Sequence, residues 1–317
     1  MRALITGVRG FVGQYLAKQL IAENVEIWGT SRGESPEPYI QGVRLISTDL
    51  TDESEIVALI EDIRPDYIFH LAGQSSVHFS WENKIETFNA NVECTIRLLE
   101  AIRKSKFAKS VKILTVGSSE EYGKIDSSQT PITELTSLRP ISPYGISKAT
   151  VSFLLSHYYN SYGLQIIHAR PFNHIGPGQN LGFVTTDFAK QIVEIEKGVI
   201  SSVIKVGNLE AKRDFTDVRD IVKGYSLLMR RGKPGEAYNV CSGVPVSIMD
   251  ILYWFIKRSF NQSIQIVTDA NNLRKSDIPL HFGSAEKMRN QTGWTTEISL
   301  DSSLQDILDF WREKYEN

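Results

Sequence analysis

The strongest constraint in this chain is a series of short β-branched or apolar runs separated by longer stretches of helical period. Ile68-Phe69-His70-Leu71 and Ile113-Leu114-Thr115-Val116 are typical, and neither alternates in polarity as a half-exposed strand would. A strand can be apolar on both faces only where both are covered, and the crossover helices that join parallel strands cover them. The pattern predicts strands at Ala3 to Thr6, Val25 to Gly29, Val43 to Ser47, Tyr67 to Leu71, Val111 to Val116 and Gln165 to Ala169. The expected class is α/β, a doubly wound parallel sheet. Beyond Pro171 the pattern becomes irregular, passing through Gly176-Pro177-Gly178 to an amphipathic run from Leu304 to Trp311. This predicts a first unit over 1–172, with 216–241 returning to it, and a smaller interleaved unit made of 173–215 and 242–317. At 317 residues and 41% hydrophobic content, the chain can fill one large core or two smaller ones.

Thr6-Gly7-Val8-Arg9-Gly10-Phe11-Val12-Gly13 follows the first strand and opens a helix running to about Glu23. Glycines at such a turn let the backbone approach a pyrophosphate, whose charge the helix N-terminus stabilises. The Gly-x-x-Gly-x-x-Gly spacing departs from the Gly-x-Gly-x-x-Gly fingerprint, and a tight turn with no ligand would use the same residues. Its place after the first strand of an alternating chain favours a dinucleotide and a Rossmann-type sheet. The second strand is followed by Thr30-Ser31-Arg32, with no carboxylate to repel a 2′-phosphate and with Ser31 and Arg32 to bind one. NADP(H) is expected, with NAD(H) left open by the nearby Glu34. Asp49 offers an acceptor to an adenine amino group, or belongs to the capping of a helix beginning near Asp52.

Ser142-Pro143-Tyr144-Gly145-Ile146-Ser147-Lys148 reads as a helix start, with a capping Ser and a Pro at the first helical position. The four-residue spacing puts Tyr144 and Lys148 on one face, where an ammonium would lower the phenol pKa for proton exchange with a carbonyl or alcohol oxygen. Ser118, just past the fifth strand, is the hydroxyl expected to orient that oxygen. The spacing alone decides little, because Tyr253 and Lys257 repeat it, and their aromatic and apolar neighbours make that copy look like the packed face of a core helix. His70 and His168 fall inside strands and read as core residues, while His174, beside Asn173, lies near the reacting centre. No His, Cys or acidic cluster has metal-ligand spacing, so no metal is expected.

Thirty-five Lys and Arg against 37 Asp and Glu leave a net charge of -2, too little to attract nucleic acid or an anionic membrane. The two cysteines, Cys94 and Cys241, lie far apart and suit a reducing compartment. No apolar run approaches the roughly 20 residues of a membrane-spanning helix. Met1 to Gly7 enters strand and turn at once, so an export signal is not expected and the cytoplasm is.

The glycine turn, Leu71-Ala72-Gly73, Ser118, Tyr144 and Lys148, in this order, resemble the nucleotide-sugar branch of the extended short-chain dehydrogenase/reductases over nearly the whole length. The resemblance implies pyrophosphate contacts from Gly7, Gly10, Phe11, Val12 and Gly13, and adenine contacts from Asp49 and Leu50. It implies cleft contacts from Leu71, Ala72, Gly73 and Gln74, with Asn91 on a helix that organises the site and with Tyr144 and Lys148 also touching the cofactor. Arg170-Pro171-Phe172-Asn173-His174, Phe183-Val184-Thr185 and the segment from Gly207 to Phe215 are similar to GDP-mannose 4,6-dehydratases and their partner reductases. A GDP-sugar substrate is thereby implied, with contacts from Ser119, Glu120, Asn173, Phe183, Val184, Lys190, Arg213, Asn271 and Arg274. So is pairing into a homodimer through helices near Glu86 to Ile102 and Tyr144 to Tyr159.

Gly117-Ser118-Ser119-Glu120-Glu121-Tyr122-Gly123 is similar to the dehydratase motif Thr-Ser-Glu-Leu-Tyr-Gly, with Glu120 in place of the dehydratase base. Ser118 replaces the Thr, Glu121 replaces the Leu, and Thr30 to Gly42 lacks the longer Arg-Arg-Ser-Ser-rich insertion. These departures look like the reductases that act on the 4-keto group of GDP-4-keto-6-deoxy-D-mannose with NADPH. Dehydration of GDP-mannose and 4-epimerisation are the alternatives, and a non-catalytic NADP-sensing protein is a reading of another class.

Overall fold

The computed structural model describes residues 1–33, 40–261, 263–269 and 278–316. Asn271 and Arg274, expected to touch substrate, and Glu34 lie outside the described residues. In chain order the first strands and helices are β1 (Arg2–Thr6), α1 (Phe11–Ala22), β2 (Glu26–Ser31), β3 (Val43–Ser47), α2 (Glu53–Ile63) and β4 (Tyr67–His70). There follow α3 (Val77–Glu82), α4 (Lys84–Phe88), a π-helical turn (Asn89–Glu93), α5 (Cys94–Lys104), β5 (Lys112–Val116), a 3-10 turn (Ser119–Glu121), α6 (Pro143–Tyr162) and β6 (Gln165–Pro171). The remainder is β7 (Asn173–Ile175), α7 (Val184–Glu196), β8 (Val203–Val206), β9 (Lys212–Asp217), α8 (Val218–Arg231), β10 (Ala237–Val240), β11 (Pro245–Ser247), α9 (Ile248–Arg258), β12 (Gln265–Thr268), β13 (Leu280–His281), α10 (Glu286–Thr292) and α11 (Leu300–Lys314).

Seven parallel strands form the central sheet in the order β10-β6-β5-β4-β1-β2-β3. The chain leaves β1 toward β2 and β3, then returns to β4 on the other side. The strand order therefore reverses beside β1, and such a sheet opens a crevice at the carboxyl ends of its strands there. Thr6, the last residue of β1, is level with Thr30 on β2 and His70 on β4, so the glycine turn lies at the mouth of this crevice. One face of the sheet is covered by α1 and α8 through a core that includes Ile5, Leu16, Phe69, Ile221 and Tyr225, and the other by α2, α5 and α6 through Leu4, Ile60, Leu98, Ile113 and Leu155. Covering both faces is what the uniformly apolar strands require. β6 extends past the predicted Ala169 because β10 pairs with it as far as Pro171.

A third core draws only on residues between Ile175 and Tyr315, chiefly from α7, α9 and α11 with Ile204 and Val206 of β8 and Phe215 of β9. Beside it β9 pairs with β7, β11 and β13, and β8 pairs with β12. Helix α9 corrects one expectation: Ile251, Leu252 and Phe255 are buried, whereas Tyr253 and Lys257 are exposed, on the outward face. Its apolar stripe is set by Ile248, Ile251, Leu252 and Phe255, and a residue two positions from Ile251 points elsewhere. Among the described residues no helix is long and apolar enough to cross a membrane.

Candidate active site

The glycine turn is held by steric necessity. Gly7 has φ +71°, and a Cβ there would lie 2.9 Å from Cα of Ala72, so the turn packs against the loop that follows β4. A Cβ on Gly13 would lie 2.5 Å from the carbonyl oxygen of Gly7. Helix α1 starts at Gly10 with no side-chain cap and no acidic residue in its first turn. Its leading N–H groups thus offer a diphosphate a cradle with positive dipole and no competing carboxylate. Phe11 stacks on His174, ring centroids 6.1 Å apart and planes 6° apart, while Val12 packs on the core.

At the end of β2 the Ser31 hydroxyl is buried without a hydrogen-bond partner, next to the exposed Arg32. A buried hydroxyl seeking a partner beside a guanidinium fits a phosphate on the adenosine ribose. The two readings of Asp49 separate: Asp52 caps α2 by accepting from the amides of Ser54 and Glu55, and Asp49 accepts from the amide and hydroxyl of Thr51. Those hydrogen bonds hold its carboxyl below the usual range. The Leu50 side chain is buried in the core under α2.

The loop from Leu71 to Gln74 is tied on both sides. The Ala72 amide donates to the Thr6 hydroxyl (3.2 Å), and the Gln74 amide donates to Asn91 Oδ1 (2.8 Å). A Cβ on Gly73 would lie 2.7 Å from that same oxygen, so glycine is needed for the approach. Asn91 sits in the π-helical turn, and its Nδ2 donates to the Ser147 hydroxyl on α6 (2.9 Å). One buried amide thereby links the loop to the helix that carries Tyr144, at the kind of helix irregularity common in functional sites. Gln74 Oε1 is buried without a partner.

Helix α6 starts as its sequence suggests. Ser142 accepts from the Gly145 amide (3.0 Å), and Pro143 occupies the first position. The Tyr144 amide, unpaired within the helix, donates to the Ser80 hydroxyl of α3 (3.1 Å), a support that sequence reasoning missed. Tyr144 is buried, and the Ser118 hydroxyl lies close enough to its phenol to favour the ionised form. Lys148 Nζ donates to the Val116 carbonyl at the end of β5 (2.9 Å) and lies 5.8 Å from the Tyr144 ring centroid. Ser118, Tyr144 and Lys148 thus meet at the carboxyl edge of the sheet.

The electrostatics correct the expectation that the Tyr144 pKa is lowered overall. Burial pushes the phenol well above its usual value, the Ser118 hydroxyl opposes this, and Glu120 and Glu121 raise it further. Burial also pushes Lys148 down to about 8, against the opposing charge of Glu121. The physical reason is that desolvation outweighs an ammonium directed at a backbone carbonyl rather than at the phenol oxygen. His70 is a buried strand residue as expected, bonded to the hydroxyls of Thr6 and Thr95 and pushed down to about 3 by burial. His168 is buried too, but it bonds Glu121 beside Ser118 and so supports the site.

The residues expected to hold substrate divide. Ser119 and Glu120 form the 3-10 turn after Ser118; Ser119 is buried, and Glu120 acts on Tyr144. Asn173 opens β7 opposite Phe215 of β9, and Phe183 and Val184 form the start of α7, which has no side-chain cap. Two cations have protein partners instead. Lys190 pairs with Glu194 one turn along α7, and Arg213 donates to the carbonyl oxygens of Lys212 and Ile278.

A glycine turn at a sheet crevice, with Ser, Tyr and Lys gathered at the adjoining strand ends, defines an extended short-chain dehydrogenase/reductase. Comparison with known proteins narrows the class. The GDP-mannose 4,6 dehydratase family matches residues 4–307. The chain is 31% identical over 313 residues to the GDP-6-deoxy-D-mannose reductase of Pseudomonas aeruginosa, covering 99% of this chain and 98% of that one. It is 28% identical over 348 residues to a GDP-mannose 4,6-dehydratase of Vibrio cholerae, covering 97% and 92%. The solved structure of RMD from Pseudomonas aeruginosa complexed with NADPH superposes with a TM-score of 0.86 at 30% identity, covering 99% of each chain. The chain therefore belongs to the GDP-mannose 4,6 dehydratase family. It is a nicotinamide-dependent enzyme, and NADP(H) is the cofactor that its site fits.

Proposed function

We propose that the protein reduces the 4-keto group of GDP-4-keto-6-deoxy-D-mannose with NADPH, giving GDP-D-rhamnose (GDP-6-deoxy-D-mannose). The observation that carries the reading is the meeting of the Tyr144 and Ser118 hydroxyls at the sheet edge, in a chain similar over its full length to a GDP-6-deoxy-D-mannose reductase. NADPH, when bound along Gly7 to Gly13 with its 2′-phosphate at Ser31 and Arg32, supplies the hydride. Ser118 hydrogen-bonds the ketone oxygen, and Tyr144 gives that oxygen its proton. Lys148 stabilises the phenolate until solvent reprotonates it. Burial keeps Tyr144 protonated at neutral pH, the form that carbonyl reduction needs.

The part of the chain around the third core, 173–215 and 242–317, is read as mainly the sugar-nucleotide region. Residues 216–241, which supply α8 and β10 to the central sheet, go with the dinucleotide region. Exposed Ile85, Ile146 and Phe153 on α4 and α6 support a homodimer, which light scattering would test by giving twice the mass of the chain. The cytoplasm is the proposed location.

Glu120 supports a second reading. Its charge acts on Tyr144, and it stands at the motif position where a dehydratase has the base that removes the proton beside a transient ketone. Mixing the protein with NADPH and GDP-4-keto-6-deoxy-D-mannose decides between them. Loss of NADPH absorbance with formation of GDP-D-rhamnose, identified by NMR, is expected. No NADPH consumption, together with dehydration of GDP-mannose supplied alone, overturns the proposal in favour of the dehydratase.

A further inference from the structure

Glu121 is wholly buried one turn beyond Ser118, and every direction around its carboxylate is taken. Oε1 accepts from the Ser118 amide (3.0 Å) and from His168 Nε2 (3.0 Å). Oε2 accepts from Arg170 Nε (2.8 Å) and from the Ser152 hydroxyl (2.6 Å). The acceptor-only carboxylate requires His168 to carry its proton on Nε2, and Nδ1 is then free to accept from the Thr115 hydroxyl at 2.9 Å. Arg170 is fixed in turn by donating to the Tyr122 and Ser152 hydroxyls. A Cβ on Gly117 would collide with Glu121 Oε1 and His168 Nε2, so the strand end is shaped around this carboxylate.

We propose that Glu121 is a positioning residue for the reaction: gripped by His168, Arg170 and Ser152, it holds the Ser118 backbone so that the hydroxyl faces Tyr144. Ser118 and Glu121 close a reciprocal capping box, with the Ser118 hydroxyl accepting from the Glu120 amide (3.1 Å). A backbone amide held by a carboxylate that is itself held by two strand residues and a helix residue has one available orientation. The leucine at this place in the motif that the segment resembles has no acceptor for the Ser118 amide. Here the serine that replaces threonine is accompanied by a device that fixes its main chain. Serine lacks the second Cβ substituent that restricts a threonine side chain, so its direction depends more on what holds the backbone and hydroxyl.

The inference rests on the proposed role of Ser118, and a double-mutant cycle separates positioning from general stability. Turnover of GDP-4-keto-6-deoxy-D-mannose with NADPH is measured for Glu121→Leu, Glu121→Gln, Ser118→Ala and the Ser118→Ala/Glu121→Leu double variant. Glu121→Leu is expected to lower kcat at least about tenfold, with KM for the keto sugar changed less than about twofold. Glu121→Gln, which keeps an oxygen for the Ser118 amide, recovers much of that loss. In the Ser118→Ala background, Glu121→Leu costs less than about twofold more, because its effect runs through Ser118. Losses that multiply, or an unchanged kcat in Glu121→Leu, overturn the proposal.

Leaving Arg170 unpaired in the interior endangers folding, so Glu121→Leu/Arg170→Met, which replaces the buried pair by apolar groups, carries the same test. A crystal structure of that variant reads the claim without turnover. A Ser118 hydroxyl that keeps its wild-type place beside the Tyr144 phenol overturns it, and a displaced one supports it. Failure of the wild-type protein to turn over this substrate would refute the functional reading and leave the crystallographic result standing.

Discussion

Helices α6 and α9 look alike on paper and differ in what surrounds them. Each begins with a serine accepting from the amide three residues on, Ser142 from Gly145 and Ser247 from Asp250, and each carries Tyr and Lys four residues apart. In α6 the tyrosine is the second helical residue, 8% exposed, at the carboxyl edge of the sheet beside Ser118. In α9 it is the sixth, 53% exposed, facing solvent. A Tyr and Lys pair on one helix face therefore acquires chemistry only from the elements placed against it. Position relative to the sheet edge and loss of solvent separate the two copies.

The largest expected difference between the two helices is between the tyrosines. Tyr144→Phe should lower kcat about 10³-fold by removing the proton donor, whereas Tyr253→Phe should change it less than about twofold; equal effects in the NADPH assay would dissolve the comparison. Lys148→Met should cost about 10²-fold and Lys257→Met almost nothing, read in the same assay.

A pH profile sharpens the contrast at Lys148. Burial holds its pKa at about 8, so the ammonium is present below that value and lost as pH rises through it, and kcat/KM should fall on that alkaline limb. An activity flat to pH 10 would count against Lys148 working as an ammonium. The smallest effect concerns the caps. Ser142→Ala and Ser247→Ala should each cost about 1 kcal/mol of stability, seen as a denaturant midpoint shifted by a similar amount in both. Only Ser142→Ala should also slow turnover, by a few-fold, because only that helix start carries a reacting group.

Much of the site could be read from the residues in order. Gly7, Gly10 and Gly13 follow the first strand, Ser142 and Pro143 mark a helix start, and Ser31 with Arg32 ends the second strand. These features depend on neighbours within a few positions, where spacing and geometry are nearly the same thing. Glu121 left a local signal as well, since Ser118-Ser119-Glu120-Glu121 has the capping-box spacing, but nothing local shows that His168, Arg170 and Ser152 converge on it. Ser80 beneath the Tyr144 amide, 64 residues away in sequence, carried no local signal.

Composition and period by themselves determined that this chain builds a parallel sheet covered on both faces, because uniformly apolar strands have no other stable setting. The glycine turn from Gly7 to Gly13 is the feature that points to a dinucleotide site at the end of the first strand. Only the tertiary structure decided which Tyr and Lys pair is buried against Ser118, that Lys148 is directed at the Val116 carbonyl, and that Lys190 and Arg213 have partners within the protein. Burial and through-space contact belong to the assembled fold, and they set the protonation of Tyr144 and Lys148, on which the chemistry depends.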